Sequence, residues 1–217
     1  MKFNNSLKSR KLAEIIGIMM GDGCLYLDKF KKYQTSISFH KKEKDYLYYV
    51  KNLFEKYFDY KFCITEIENE FLLRNNSVFV GKKLISAGII EGNKINNKII
   101  IPNWIFKNKY FLLNLLRGFF DTDGCIYRKY ENYSQIQFKL ASKETINSLY
   151  QALIQLGFNP TKIQKEIYKG RFSWKIYIVR QKEIKRFFKE IKPANKKHIK
   201  RYNLINKVGT PRFEFPG

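Results

Sequence analysis

The sequence predicts an α+β protein made of two pseudo-symmetric halves, each with the element order αββαββα, packed together through one helix from each half. Three observations lead to this prediction. An apolar stretch closed by Asp-Gly occurs twice in the chain. The segments that follow both copies alternate polar and apolar residues with the period of β-strands. The two halves also match in residue type over most of their length.

The repeated stretch covers residues 15–23 (IIGIMMGDG) and 116–124 (LRGFFDTDG). Each copy has small residues four positions apart, which share one face of a helix and allow two helices to pack backbone against backbone. This packing would bring Asp22 and Asp123 together at the end of the helix pair. A single Asp-Gly is more typical of a hairpin turn after a core helix. The second copy, with the same internal spacing, favours the paired arrangement.

The residues after Asp22 predict two hairpins and two helices, of which the last helix covers 78–88. The same polar and apolar phase recurs 101 residues later, after Asp123. Gly92 and Pro102 break helices and mark the boundary between the halves. The predicted units are residues 1–101 and 102–207, followed by a mobile tail over 208–217.

The charge of the chain indicates a polyanionic partner. Lys and Arg number 42 against 19 Asp and Glu, which gives a net charge of +23. Aromatic residues (17%) and interspersed acids are typical of a folded surface that binds nucleic acid, and not of a polybasic membrane anchor. Three separated cysteines and two histidines exclude a zinc cluster. We expect a monomer without a membrane partner, intracellular (in the cytoplasm or an organelle) and not secreted.

The two stretches resemble the paired motifs of the LAGLIDADG homing endonucleases in their single-chain, two-motif form. The resemblance covers roughly residues 10–205, and residues 116–124 are close to the usual motif sequence of the family. Met20 departs from the pattern, because the family often has Asp there, as Asp121 in the second motif. The resemblance implies a DNA endonuclease that makes a metal-dependent double-strand break at a long, non-palindromic target, during homing of an intron or similar element. The antiparallel sheets would form a saddle over the DNA.

Hydrolysis of a phosphodiester needs an activated water and compensation of negative charge, which divalent cations between carboxylates supply. Asp22 and Asp123 are therefore the predicted catalytic and metal-binding acids. The resemblance implies the carbonyl oxygens of Gly21 and Thr122 as further ligands. The resemblance implies Mg²⁺, with Mn²⁺ as a substitute and Ca²⁺ binding without supporting cleavage. Lys94 and Lys196 follow their acids by 72 and 73 residues, and both are predicted to be catalytic cations.

Polar and basic side chains on the strand faces in phase with the two acids, or at the ends of the hairpins, are suited to base edges and phosphates. In the first half they are Tyr26, Asp28, Gln34, Ser36, Ser38, Lys41 and Lys42. In the second half they are Tyr127, Lys129, Gln135, Gln137, Lys139, Ser142, Lys143, Lys162, Gln164, Lys169, Arg171 and Lys175. The second set is more basic, so we expect a target that is not a palindrome.

Other functions fit parts of the same sequence. An intron maturase or a non-catalytic nucleic-acid-binding protein would keep the fold, and a maturase would add intron RNA as a partner. A cation-rich RNA-binding protein would leave the repeat unexplained. An intein would need a nucleophile at residue 1 and a terminal His-Asn, whereas the chain begins with Met1 and ends with Pro216-Gly217. A freestanding or intron-encoded double-stranded DNA endonuclease is the function that we expect.

Overall fold

The computed structural model describes residues 5–29, 31–130 and 133–207, so the predicted tail over 208–217 lies outside the described residues. The first half contains α1 (Asn5–Met20), β1 (Gly23–Leu27), β2 (Tyr33–His40), a 3-10 turn (Lys41–Glu43), α2 (Lys44–Phe58), β3 (Cys63–Ile67), β4 (Glu70–Asn75) and α3 (Val78–Ala87). The second half contains α4 (Asn103–Phe106), α5 (Lys109–Asp123), β5 (Gly124–Tyr130), β6 (Tyr133–Leu140), α6 (Lys143–Gln155), β7 (Gln164–Tyr168), β8 (Arg171–Ile178), α7 (Gln181–Ile191) and α8 (Lys196–Lys207). The predicted α+β order is confirmed in both halves, with α4 and α8 as additions.

Each half forms a four-stranded antiparallel sheet, with the strand orders β1-β2-β4-β3 and β5-β6-β8-β7. The repeat is preserved in the strand register. Gly23 lies opposite Ile37 in the first sheet, and Gly124 lies opposite Phe138 in the second. Gly124 follows Gly23 by 101 residues, and Phe138 follows Ile37 by the same number, which is also the separation between Asp22 and Asp123. The pseudo-symmetry therefore extends beyond the repeated stretch.

One face of each sheet packs against helices, and the other is open to solvent. Ile37, Phe39, Ile136 and Phe138 alternate with polar residues along β2 and β6, and their side chains are buried. This confirms the period-two pattern. The buried apolar residues of the two halves form one continuous core. No helix in the described part of the chain is long and apolar enough to cross a lipid bilayer.

The centre of the core is the contact between α1 and α5, which we call the seam. A β-carbon on Gly17 would collide with the carbonyl oxygen of Leu115, and one on Gly118 would collide with that of Glu14. The helices thus touch through their backbones, as the small residues predicted. Any larger side chain at these positions would force the helices apart.

The segment between the halves is anchored to the second half. The Thr145 hydroxyl donates to the carbonyl oxygen of Ile99 at 2.6 Å, and the amide of Ile101 donates to the Ser148 hydroxyl at 3.3 Å. Residues of the predicted first unit therefore pack on α6. The predicted division after residue 101 stays a prediction.

Candidate active site

The seam brings the two repeated acids to one place. Asp22 follows the last turn of α1, and Asp123 is the last residue of α5. Because Gly21 has no side chain, Asp123 approaches the end of α1 closely: a β-carbon on Gly21 would lie 3.4 Å from Asp123 Oδ2. The same β-carbon would collide with Thr122. The chain therefore presents one carboxylate from each half at a shared site.

The two carboxylates repel each other in a partly dehydrated setting. Loss of hydration, followed by the charge of Asp123, raises the pKa of Asp22 to about 6. Burial also raises the pKa of Asp123. The carbonyl groups at the C-terminal ends of α1 and α5 add negative potential. Hard divalent cations prefer oxygen ligands in such surroundings, so these residues fit Mg²⁺. Within the described residues, no group of three or more His, Cys, Asp or Glu is placed to hold a metal ion, so the site rests on two carboxylates and main-chain oxygens.

Lys94 lies at the end of α1, and its role as a catalytic cation stays a prediction. Its ammonium donates to the carbonyl oxygens of Met19 and Met20, both at 3.3 Å, and to that of Gly21. Loss of hydration lowers the pKa of Lys94, against the opposing charges of Asp123 and Asp22. The Gly21 carbonyl, predicted as a metal ligand, accepts this hydrogen bond in the structure.

The second predicted lysine requires a correction. Lys196 is exposed and its Nζ lies 2.8 Å from a carboxylate oxygen of Asp45, so it does not face the acids. Its neighbour Lys197 pairs instead with Glu43 at 2.9 Å, and the charge of Lys197 lowers the pKa of both Asp22 and Asp123. Successive residues of a helix point about 100° apart, so only one of the two lysines can face the site. Spacing along the sequence does not distinguish them.

Glu43 and Asn195 belong to the same cluster, although neither was predicted. Lys197 Nζ lies 2.9 Å from Glu43 Oε1, and Asn195 Nδ2 donates to the same oxygen at 2.7 Å. Burial by itself raises the pKa of Glu43, but the hydrogen bonds from Lys197 and Asn195 outweigh it, and the pKa is lowered. The available sequence signals were the position of Glu43 directly after Lys41 and Lys42, and the repeated Asn-Lys pair.

Ser142 and Thr122 serve their own helices. The Ser142 hydroxyl is buried and accepts a hydrogen bond from the amide of Thr145 at 3.1 Å, which caps α6. Ser142 was predicted to contact DNA, and this prediction is wrong, because its buried hydroxyl caps α6. A cavity of about 180 Å³ separates this cap from Lys94 and Asp123. The Thr122 hydroxyl bonds back to the carbonyl oxygens of Gly118 and Phe119, and only its main chain is left for a ligand role.

The solvent-facing side of the first sheet carries most of the predicted DNA contacts of that half. Its members on β1 and β2 are Tyr26, Gln34, Ser36 and Ser38. Asp28 instead accepts a hydrogen bond from the amide of Lys32 at 2.8 Å and holds the turn. Lys42 is exposed, whereas Lys41 pairs with Glu66 at 2.6 Å. Arg74, which was not predicted, faces the same side and donates to Thr65 at 2.6 Å.

The second sheet holds its polar side chains in a tighter hydrogen-bonded arrangement. Tyr127 donates to Gln135 at 3.2 Å. Gln137 donates to Tyr177, a residue that was not predicted, at 3.0 Å. These contacts fix the orientation of groups on the open face of the second sheet.

Some of the predicted DNA contacts in the second half are held by neighbouring side chains, and the others are exposed. Lys139 and Lys175 both pair with Glu166, and these two contacts lower the pKa of Glu166 to about 2. Lys143 lies over the ring of Trp174 at 5.0 Å. Four further predicted contacts are exposed on or beside the β7–β8 hairpin: Lys162, Gln164, Lys169 and Arg171. Lys129 is exposed near the end of β5.

Comparisons with known proteins support the fold. The family model of the LAGLIDADG-like domain matches residues 111–192. No curated protein sequence matches the chain. The structure is similar to that of I-DmoI in complex with DNA and Ca, with a TM-score of 0.66 and 16% identity over 86% of this chain and 91% of the other.

Two further solved structures show a related fold. I-WcaI bound to its DNA recognition sequence has a TM-score of 0.55 and 18% identity, and covers 97% of this chain and 86% of its own. Full-length DUF199/WhiA, described as from Thermatoga maritima, has a TM-score of 0.59 and 16% identity over 100% of this chain and 64% of its own. Similarities at these identities establish the fold.

Proposed function

We propose that this chain, a LAGLIDADG protein with two motifs in one polypeptide, is a DNA endonuclease that breaks both strands of a duplex. One observation carries the proposal: an acid from each half stands at the end of the packed helices α1 and α5, and each acid is followed directly by the first strand of its own antiparallel sheet. A pseudo-two-fold axis relates Asp22 to Asp123. The two backbones of a duplex are likewise related by a two-fold axis, so each acid can face a phosphate on a different strand. One chain supplies both acids, which supports action as a monomer.

The metal requirement follows from the donor set. Asp22, Asp123 and the main-chain oxygens of Gly21 and Thr122 would hold Mg²⁺, which prefers such oxygens. When bound, the cation supplies an activated water and compensates charge on the phosphate. We expect Mn²⁺ to substitute and Ca²⁺ to bind without supporting cleavage. The descriptions of I-DmoI–DNA structures that include Ca, Mn or Mg support divalent metal use.

The remaining residues of the site bind and orient the duplex. Lys94 and Lys197 place positive charge beside the acids, where it can stabilise the developing negative charge of a reacting phosphate. The two sheet faces offer different sets of polar and basic groups, so they suit a long target without two-fold symmetry. The net charge of +23 favours phosphate contacts along that target. We propose homing of an intron or similar element as the biological role.

The proposal is tested by measuring which DNA duplexes of a random library the protein cuts. Purified protein is incubated with Mg²⁺ and a randomised duplex library, and the cut ends are sequenced. We expect one asymmetric family of sequences cut on both strands in Mg²⁺ or Mn²⁺ but not in Ca²⁺. The matched control is the double variant Asp22→Asn, Asp123→Asn. Specific binding of duplex DNA without any cut in Mg²⁺ would refute the nuclease function. It would favour a maturase or a non-catalytic nucleic-acid-binding protein, and a binding assay with intron RNA would distinguish these two.

A further inference from the structure

The link between α7 and α8 is fastened to the end of α5 by a buried carboxylate. Asp121 accepts from the amide of Ala194 at 2.7 Å and from that of Asn195 at 3.1 Å, one on each carboxylate oxygen. Asn195 Nδ2 donates back to the carbonyl oxygen of Asp121 at 3.0 Å. Both Asp121 and Asn195 are almost fully buried. Three hydrogen bonds thus fix where α8 begins.

Asn195 extends this attachment to the other half of the molecule. Its Nδ2 also donates to Glu43 Oε1 at 2.7 Å, while its Oδ1 accepts from the amide of Lys197 at 3.1 Å. Glu43 in turn pairs with the Lys197 ammonium at 2.9 Å. Glu43 therefore holds the Lys197 ammonium, Asn195 holds both Glu43 and the Lys197 amide, and Asp121 holds Asn195. We call Asp121, Asn195 and Glu43 the clasp.

The described residues of the first half form no such clasp. Met20 stands at the position that corresponds to Asp121, 101 residues earlier. Asn93 corresponds to Asn195, but its Oδ1 accepts from the amides of Ile95 and Asn96 within a local turn. Lys94 is held by carbonyl oxygens at the end of α1. The two halves therefore position their lysines by different means.

The two lysines have different surroundings at the site. Lys94 lies against the carbonyl oxygens at the end of α1 and lines the same small cavity as Asp123. Lys197 is paired with Glu43, and Asn195 connects Glu43 to the last turn of α5. The two cations therefore occupy separate places near the end of the seam.

We propose that Asn195 is a positioning residue: held by Asp121 and Glu43, it fixes Lys197 at the end of the seam and so controls cleavage of one DNA strand. The inference rests on the proposed nuclease function. Lys94, which lies outside the clasp, acts on the other strand. Loosening the clasp therefore converts a double-strand break into a nick.

The test uses the duplex recovered from the library, labelled on either strand, in single-turnover time courses with Mg²⁺. Asn195→Ser keeps an oxygen able to cap α8 and removes the two Nδ2 hydrogen bonds. Misplacement of a catalytic group by about 1 Å costs on the order of 10²-fold in rate. We expect one strand to slow by that order, nicked duplex to accumulate, and binding in Ca²⁺ to be unchanged. The control is Asn203→Ser, an exposed position on α8.

A double-mutant comparison separates positioning from general weakening. Lys197→Met should slow the same strand, and adding Asn195→Ser should slow it no further, because both changes remove one interaction. If Asn195→Ser does not fold, Glu43→Gln keeps an oxygen for Asn195, removes the charge facing Lys197 and should give the same one-strand defect. Equal slowing of both strands, no slowing, or additive losses would overturn the inference alone. A wild-type protein that cuts neither strand would overturn the nuclease function and this inference with it.

Discussion

Replacement of Gly118 by alanine tests the seam that brings the two acids together. The new methyl group would collide with the carbonyl oxygen of Glu14 and lie 2.9 Å from the amide nitrogen of Ile18. These are backbone atoms of a buried helix and cannot turn away, so α1 and α5 must separate. Overpacking of this kind costs about 1–3 kcal/mol. Alanine also favours a helix interior over glycine by about 1 kcal/mol. Because the obstacle is backbone, the cost should lie in the upper part of that range, about 2–3 kcal/mol. After the helix-propensity gain is subtracted, the net loss is about 1–2 kcal/mol.

The loss is measurable as a change in melting temperature and in cleavage. For a chain of this size, 1 kcal/mol corresponds to about 2–4 °C, so Gly118→Ala should melt roughly 2–8 °C lower by calorimetry. Separation of the helices also displaces the acids, and we expect cleavage well below the melting temperature to slow on the order of 10²-fold.

The matched comparison is Gly81→Ala in α3. A β-carbon there would also collide with a neighbour, but the obstacle is the side chain of Tyr33 and the position is outside the seam. This variant should melt lower and cut at the normal rate when folded. An unchanged or raised melting temperature for Gly118→Ala, together with normal cleavage, would show that the two helices do not meet through their backbones.

Three further outcomes follow from the charges at the site. Lys197→Met should slow cleavage of one strand on the order of 10²-fold, whereas Lys196→Met, with the same loss of charge, should not; strand-resolved time courses distinguish them. The folded-state pKa of Asp22 is raised to about 6, so the folded protein holds the Asp22 carboxyl more easily in its neutral form. The free energy of unfolding that this protonation adds is lost as the pH rises through 6. In EDTA, Asp22→Asn should therefore melt above wild type at pH 7.5 and level with it at pH 3.5; equal melting at both would contradict this. Duplex affinity should fall by roughly 10³ or more between 50 and 200 mM salt if six or more phosphates are neutralised; a nearly flat titration would exclude phosphate-dominated binding.

The fold was largely predictable because its determinants are local and repeated. The small residues around Gly17 and Gly118 specify close helix packing, and period-two alternation specifies which strand face is buried. The matching offset between the halves then fixes the pairing of Gly23 with Ile37 and of Gly124 with Phe138. These patterns need no knowledge of distant contacts.

The site was only partly predictable because its finer contacts are long-range. Glu43 and Asn195 are separated by 152 residues, and nothing in either neighbourhood indicates the other. The neutralisation of Lys139 by Glu166 likewise depends on how β6, β8 and β7 pair. The choice between Lys196 and Lys197 depends on the rotation of α8, which is set by the attachment of Asn195 to Asp121.

The most direct test of the central claim is strand cleavage by the single variants Asp22→Asn and Asp123→Asn on the selected duplex in Mg²⁺. The account predicts that neither variant makes a double-strand break, while both bind the duplex in Ca²⁺ nearly as tightly as wild type. This is expected because each variant loses one of the two carboxylates and keeps the sheet faces. A double-strand break at the wild-type rate by either variant would contradict the assignment of these two acids.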